Sequence, residues 1–343
     1  MRAVFKSELE YTELENIKKF CNSVDYCSIE QSIGWTQIFY KSKIRYFYLQ
    51  DDFGIKSFCM ITERLRSAHI CYGPVCCEKE SMISSINEII NHYKKRGFYY
   101  LGIQMYYKSG YDTDYIEYAL NKLHDIKYFF NTENTKSSIE INLEESEEEI
   151  YRKIRHGHKN DIKKAIKLGV TFDVVKDKNE LDSFFAIYSK MCKARNIDTG
   201  GLSKENIYEI YNYLIQNNKG QVLIGKDKDN VVLGGEILLY QGISVRCWKG
   251  VSDPDRRDIP ASHLLLYEAI KKSKNDKFKY FDFGGYNHFA DENNHVFYVN
   301  HFKKGFGGYF TFFAKKMNIN LIPCGYYIYR FLNLFKKTFR RLH

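Results

Sequence analysis

The apolar and polar positions fall into short blocks of two different periods. Runs rich in aromatic and β-branched residues occupy 45–49, 55–63 and 68–72, and Asp51-Asp52-Phe53-Gly54 separates the first two as a turn, so three strands are predicted. The period then becomes helical. Met82, Ile83, Ile86, Ile89, Ile90 and Tyr93 share one face of a helix that runs to Lys95; Gly97 ends it and a strand follows over 98–104.

The same order returns further along. Strands are predicted over 221–225, 231–240 and 243–249, with turns at Asp227-Lys228-Asp229-Asn230 and Gln241-Gly242, then a helix over 262–272 and a strand over 278–283. Corresponding elements lie roughly 176 to 180 positions apart, which argues for a duplicated α/β unit of the α+β type. Each copy would be a mixed, mainly antiparallel sheet flanked by helices, although α+β chains also reach this order without duplication. Between the copies lies a polar loop at 131–135, a strand near 138–143 and a helix over 146–168. That helix opens with Ser146-Glu147-Glu148-Glu149, the pattern of a capping box, and Gly169 is its stop. The expected division is therefore residues 1–143 and 144–343.

Composition changes this picture little. A chain of 343 residues with 44% hydrophobic content can fill two cores. Lys and Arg number 52 against 42 Asp and Glu, which favours RNA, phosphorylated substrates or an anionic membrane face as partners. The nine cysteines contain no C-x-x-C pair and read as reduced, mostly buried thiols. The first residues lack an apolar signal core and no run reaches the roughly 18 residues that span a bilayer, so a cytoplasmic protein is expected.

Several stretches could carry chemistry. On the helix over 146–168, Ile150, Ile154, Ile162 and Ile166 form one face, while Arg152, Lys153, Arg155, Lys159, Lys163, Lys164 and Lys167 form the others. Arg155 and Lys159 lie one turn apart and could share a phosphate; a solvated basic face is the plainer reading. Asp282 stands at the end of an apolar strand beside Gly284 and Gly285, which let a ligand approach the backbone. Its carboxylate could position or deprotonate an amine, or cap a loop N–H. Lys303, between Phe302 and Phe306, could stabilise an oxyanion, or snorkel to the surface. His288, His295 and His301 flank Asp291 and Glu292 without the spacing of a metal site, so no metal is expected. Over 326–342, Ile328, Phe331, Leu332, Phe335 and Phe339 are set against Arg330, Lys336, Lys337, Arg340 and Arg341. Such a basic amphipathic helix suits an anionic membrane surface, or packs on the second domain.

Taken together, these landmarks resemble a known family. The basic segment from Lys153-Ile154-Arg155 to Gly169-Val170, then Gly234-Gly235-Glu236, Gly250, Pro260, Phe281-Asp282-Phe283-Gly284-Gly285 and His301-Phe302-Lys303-Lys304-Gly305-Phe306-Gly307-Gly308 is similar to the second domain of Fem-family peptidoglycan aminoacyltransferases, of the GNAT-like superfamily. Trp35 and Tyr72-Gly73-Pro74-Val75 match landmarks of the first domain, and the likeness covers roughly residues 30 to 312.

The resemblance implies two tandem GNAT-like domains and N-acyl transfer, with Lys303 at the acyl-transfer centre and Phe302 as its packing partner. It implies Arg195 as a contact to acceptor phosphates, and it adds Tyr72 and Trp35 to the residues expected near substrate. The donor would be aminoacyl-tRNA or acyl-CoA, with no tightly bound cofactor. The acceptor would be an amine on a cell-wall or surface-glycan precursor, phosphorylated or lipid-linked, handled at the inner membrane face. Two departures stand out. Phe39 occupies the place of a phosphate-binding lysine, with Lys41 and Lys43 nearby, and there is no coiled-coil arm. Before the helix at 262, Arg256 and Arg257 offer cations but no glycine loop for a CoA pyrophosphate, and Arg257 stays a candidate anion contact. A CoA-dependent acyltransferase of amino sugars, and a non-catalytic RNA- or membrane-binding protein, remain as alternative readings.

Overall fold

A computed structural model describes residues 1–39, 43–106, 128–131 and 137–339. Lys41, the loop at 132–135 and the tail residues Arg340, Arg341 and Leu342 lie outside the described residues. The first half runs β1 (Arg2–Lys6), α1 (Tyr11–Ser23), α2 (Trp35–Phe39), β2 (Lys43–Asp51), β3 (Gly54–Arg64), β4 (Ser67–Cys71), β5 (Val75–Cys76), α3 (Lys79–Lys95), β6 (Tyr100–Gln104) and β7 (Tyr128–Asn131). There follow β8 (Ser137–Asn142), α4 (Glu147–Lys153), α5 (His156–Lys167), β9 (Thr171–Val174), α6 (Lys178–Ala194), α7 (Lys204–Gln216), β10 (Gly220–Lys226), β11 (Val232–Gln241) and β12 (Ser244–Ser252). The chain ends with α8 (Ala261–Asn275), β13 (Tyr280–Asp282), α9 (His295–Lys304), β14 (Tyr309–Phe312), β15 (Lys316–Asn320) and α10 (Gly325–Phe339).

Two sheets form, ordered β1-β2-β3-β4-β6-β15-β7, with β5 beside β3, and β9-β10-β11-β12-β13-β8-β14. They follow one plan. In each, an antiparallel meander passes through one helix, α3 or α8, into a strand parallel to the last of the meander: Ile70 pairs with Ile103 and Val245 with Phe281. The duplicated order read from the sequence is thus a duplicated topology. Each copy is completed by a strand from elsewhere in the chain, because β8 pairs with β13 (Ile141 with Phe281) and β15 pairs with β6 (Met317 with Ile103).

This exchange moves the expected boundary. The compact units are residues 1–136 with 312–343, and residues 137–311. The expected division near 144 assigned β8 to the first domain and the tail to the second; backbone pairing puts each in the other unit. A strand's pattern fixes its faces, not which sheet edge it joins. Helix α10 follows β15, so Tyr329 stacks on Tyr100 at 5.2 Å, in the first unit.

In the first unit, Met82, Ile86, Ile89, Ile90 and Tyr93 of α3 pack on Phe47, Ile61, Leu101 and Ile103, while Ile17 and Phe20 of α1 join Tyr46, Tyr48, Phe58 and Met60. In the second, Ile150, Ile154 and Ile162 meet Leu264, Leu265 and Ala269 of α8 over Leu223, Val245 and Phe281. Each such side chain contributes roughly 1.5–3 kcal/mol when removed from water.

The helix expected over 146–168 is two helices. Its capping box forms, with Glu149 N donating to Ser146 Oγ at 3.2 Å and Ser146 N to Glu149 Oε2 at 3.0 Å. The chain then turns extended at Ile154 (ψ 132°) and Arg155 (ψ 144°), where Arg155 N donates to Gly305 O at 2.8 Å instead of continuing the ladder. The break rephases the apolar stripe: Ala165 is buried and Ile166, expected on the core face, is 57% exposed. Among the described residues no helix is long and apolar enough to cross a membrane.

Candidate functional site

Lys303 sits in the last turn of α9 and is half-buried. Its Nζ donates to Gly284 O at 3.1 Å and to Gly285 O at 2.8 Å, which fixes the ammonium at the turn that follows β13. Gly284 adopts φ +70°, and a Cβ there would lie 2.7 Å from Cys247 O, so this turn requires glycine. Burial holds the Lys303 ammonium below the usual lysine range, opposed by the nearby Cys247, Asp282 and Glu236.

Asp282 makes the turn rather than facing out of it. It is fully buried, and its Oδ1 accepts from Ser138 Oγ and from Gly284 N, the latter at 2.7 Å. Ser138 Oγ also lies 2.9 Å from Gly284 O. Of the two readings of Asp282, capping of a loop N–H is the one the hydrogen bonds describe.

The sequence reading missed Glu236 as a functional group. It lies mid-strand in β11, 6% exposed, paired with Gly250 of β12. Burial pushes its carboxyl up to about 8, countered by the charge of Lys303 and a hydrogen bond with Cys247. The Cys247 thiol is driven well above its ordinary range, chiefly by burial and then by Glu236. A carboxylate inside Val231-Val232-Leu233-Gly234-Gly235-Glu236-Ile237-Leu238-Leu239 was the available signal, since burying an acid in an apolar strand is costly and such a group marks a candidate functional site. The neighbouring glycines serve packing: a Cβ at Gly235 would meet the Phe184 ring at 2.5 Å, and one at Gly234 the Val251 carbonyl at 2.5 Å.

Below Lys303, α9 rests on an aromatic and imidazole cluster. Phe302 meets His263 edge-on at 4.9 Å and Phe306 at 5.4 Å, and its carbonyl lies 2.9 Å from His158 Nε2. His158 and His263 cross at 4.5 Å, and a Cβ at Gly305 would lie 2.1 Å from His158 Nε2. Burial, then His158, lowers His263 to about 4; burial also lowers His158. His263 Nδ1 is buried and makes no hydrogen bond among the described residues. Phe302 is thus a packing residue that holds α9 and its lysine in place.

The remaining candidates scatter. Arg155 reaches His301 Nε2 at 2.6 Å, whereas Lys159, still one turn on with its N donating to Arg155 O, has its Nζ donating to Arg152 O at 2.9 Å and lying over the Tyr151 ring. Arg195 caps α6 and is exposed, as is Arg257. His288 packs against Tyr286 and Phe310 while His301 faces Arg155, so these two histidines do not converge. In the first unit, Tyr72 is half-buried with its ring against Tyr106 at 5.6 Å. Trp35, expected near substrate, is 4% exposed and belongs to the interior of that unit instead.

The chain has measurable relatives. Residues 152–304 match the family model described as an acetyltransferase (GNAT) domain. Over 89 residues the chain is 28% identical to the lipid II:glycine glycyltransferase of Staphylococcus haemolyticus (strain JCSC1435), a match that spans 26% of this chain and only 21% of that relative. The crystal structure of FemX superposes with a TM-score of 0.78 at 14% identity, covering 93% of this chain and 97% of that one. A tandem GNAT protein from the clavulanic acid biosynthesis pathway superposes with a TM-score of 0.53 at 6% identity, covering 94% and 99%. The fold is therefore a Fem-type tandem of GNAT-like units.

Proposed function

We propose that this GNAT-like chain of Fem-type architecture is an acyltransferase that moves an aminoacyl group from aminoacyl-tRNA to an amine of a cell-wall or surface-glycan precursor. One observation carries the reading: a lysine ammonium pinned by two carbonyls, with a buried carboxyl of raised pKa in its field. An ammonium has three N–H donors, and the two carbonyls take two, which leaves one for an oxyanion.

In the proposed reaction the acceptor nitrogen attacks the ester carbonyl carbon and a tetrahedral oxyanion forms against Lys303. Glu236, ionised, takes the proton from nitrogen; the C–O bond then breaks and the proton returns to the departing hydroxyl oxygen of the tRNA. A carboxyl near 8 suits both halves of that exchange at neutral pH, because it is neither permanently ionised nor permanently protonated. Asp282 and Phe302 act as positioning residues, through the Gly284 turn and through α9. The exposed guanidinium groups of Arg195 and Arg257 are proposed contacts for acceptor or donor phosphates.

A thioester donor is the second reading, favoured by the acetyltransferase family model over residues 152–304. The chemistry differs only in the bond that breaks, C–S in place of C–O. Either donor is found in the cytoplasm, which is where the reading has the protein act. Purified protein supplied in parallel with labelled aminoacyl-tRNA and labelled acyl-CoA, plus an amine-bearing envelope precursor, tests both. Ribonuclease-sensitive transfer supports the first donor, ribonuclease-resistant transfer the second. Absence of transfer from either, with salt-sensitive RNA or vesicle binding unchanged by Lys303→Ala, would leave a binding protein.

A further inference from the structure

Almost all of the net positive charge lies at one end of the chain. Of 52 Lys and Arg, nine follow Glu292 and no Asp or Glu does, so residues 1–292 hold 43 cations against 42 anions. Within this acid-free stretch, α10 has two different faces. Its inner face packs on the first unit: Tyr329 lies on Tyr100 and 5.0 Å from His69, Tyr326 is 5.3 Å from Tyr100, and Tyr326 N donates to Asn320 Oδ1 at 2.8 Å.

Its outer face is apolar as well. Tyr327, Phe331 and Leu334 are 67%, 62% and 60% exposed. Their spacing of four and then three places them in one row along the helix, with the exposed Arg330 beside it. The expected face of Ile328, Phe331 and Leu332 is therefore divided: Phe331 points outward, and Ile328 and Leu332 are half-buried. Beyond this row the sequence adds Lys336, Lys337, Arg340 and Arg341.

We infer that α10 docks on the surface of an anionic phospholipid bilayer, lying in its plane with Tyr327, Phe331 and Leu334 at the boundary of headgroups and acyl chains. Charge and apolar surface must both be satisfied by the occupant. An RNA backbone would meet the cations and leave the apolar row in water. A second copy would cover the row but bring two acid-free, basic tails together. An anionic bilayer meets both requirements. Fifteen residues give a helix of roughly 22 Å, too short to cross a hydrocarbon core of about 30 Å but suited to lying along it.

Co-sedimentation of the full chain with vesicles of phosphatidylcholine, alone or with about one-third phosphatidylglycerol, tests this. The expected result is binding to the anionic vesicles only, weakened by added salt. It should be weakened ~10-fold or more in the Phe331→Ser/Leu334→Ser double variant, because each serine removes apolar area from the inserted row. Circular dichroism and an unchanged Tm would show that the double variant folds. Lys303→Met should bind vesicles like the parent, which keeps this result separate from the outcome for acyl transfer. Three results would overturn the inference: no binding to anionic vesicles, binding untouched by the double variant, or RNA binding or self-association in place of vesicle binding.

Discussion

Glu236 and Gly250 are a cross-strand pair in which the missing side chain of one makes room for the buried carboxyl of the other: a Cβ at 250 would lie 2.5 Å from Glu236 Oε2. The atom met is the end of a side chain, so a methyl group there would push the carboxyl aside rather than break the sheet. Gly250→Ala is expected to fold, with a Tm close to the parent's, and to lose transfer activity ~10-fold or more through displacement of the base. Unchanged kinetics would show that the position of Glu236 does not matter to the reaction.

Replacing Lys303 should separate chemistry from folding. Lys303→Met keeps the length and apolar stem but removes the donor, and kcat is expected to fall by ~10²–10³ with little change in KM. Lys303→Arg should not restore it, since a planar guanidinium cannot reproduce an ammonium held on two carbonyls. Full activity in the methionine variant would remove this lysine from the mechanism.

Glu236→Gln should cost activity and increase stability. The folded carboxyl titrates near 8 because it is buried, the unfolded one near the ordinary glutamate value of 4.5, so between those values the folded state holds a proton that the unfolded state has released. Stability supplied by this site is thus highest below pH 4.5 and falls as pH rises toward 8. Glutamine removes that loss, an increase bounded at roughly 3 kcal/mol at pH 7. Thermal melts of parent and variant from pH 5 to pH 8 should diverge as pH rises, and the parent's transfer rate should climb toward pH 8 while the variant's stays flat and low.

Asp282→Asn distinguishes a positioning carboxylate from a base. Its amide oxygen can still accept from Ser138 Oγ and Gly284 N, so transfer should stay within ~10-fold of the parent. Asp282→Ala leaves Gly284 N without its acceptor in a buried turn, while Ser138 Oγ keeps Gly284 O, and should destabilise by about 1–3 kcal/mol. A loss of ~10³ or more in the asparagine variant, with folding intact, would make Asp282 the base instead.

The imidazole cluster under α9 should make the protein acid-sensitive. His263 titrates near 4 when folded, against the ordinary histidine value of 6.5 when unfolded, so the unfolded chain takes up the proton first as pH falls. Stability is complete above about pH 6.5 and declines toward pH 4. His263→Phe keeps a ring against Phe302 and Phe306 and should flatten the acid limb of a Tm against pH curve.

The sequence by itself determined the local elements. Strand runs, the α3 stripe, the capping box at Ser146 and the left-handed Gly169 follow from periodicity and backbone preference between near neighbours, and each is where the pattern put it. The repeated order and the resemblance around Phe281-Asp282-Phe283-Gly284-Gly285 also gave the fold and brought Lys303 forward.

Only the tertiary structure decided what lay far apart in the chain. Which sheet receives β8 and β15 depends on the edge that is open, and strand pattern does not encode it. The break at Arg155 depends on a carbonyl 150 residues away, at Gly305. Glu236 reads as one polar position in an apolar strand until Gly250, Cys247 and Lys303 surround it, because the cost of burying a charge is set by three-dimensional neighbours rather than by sequence neighbours.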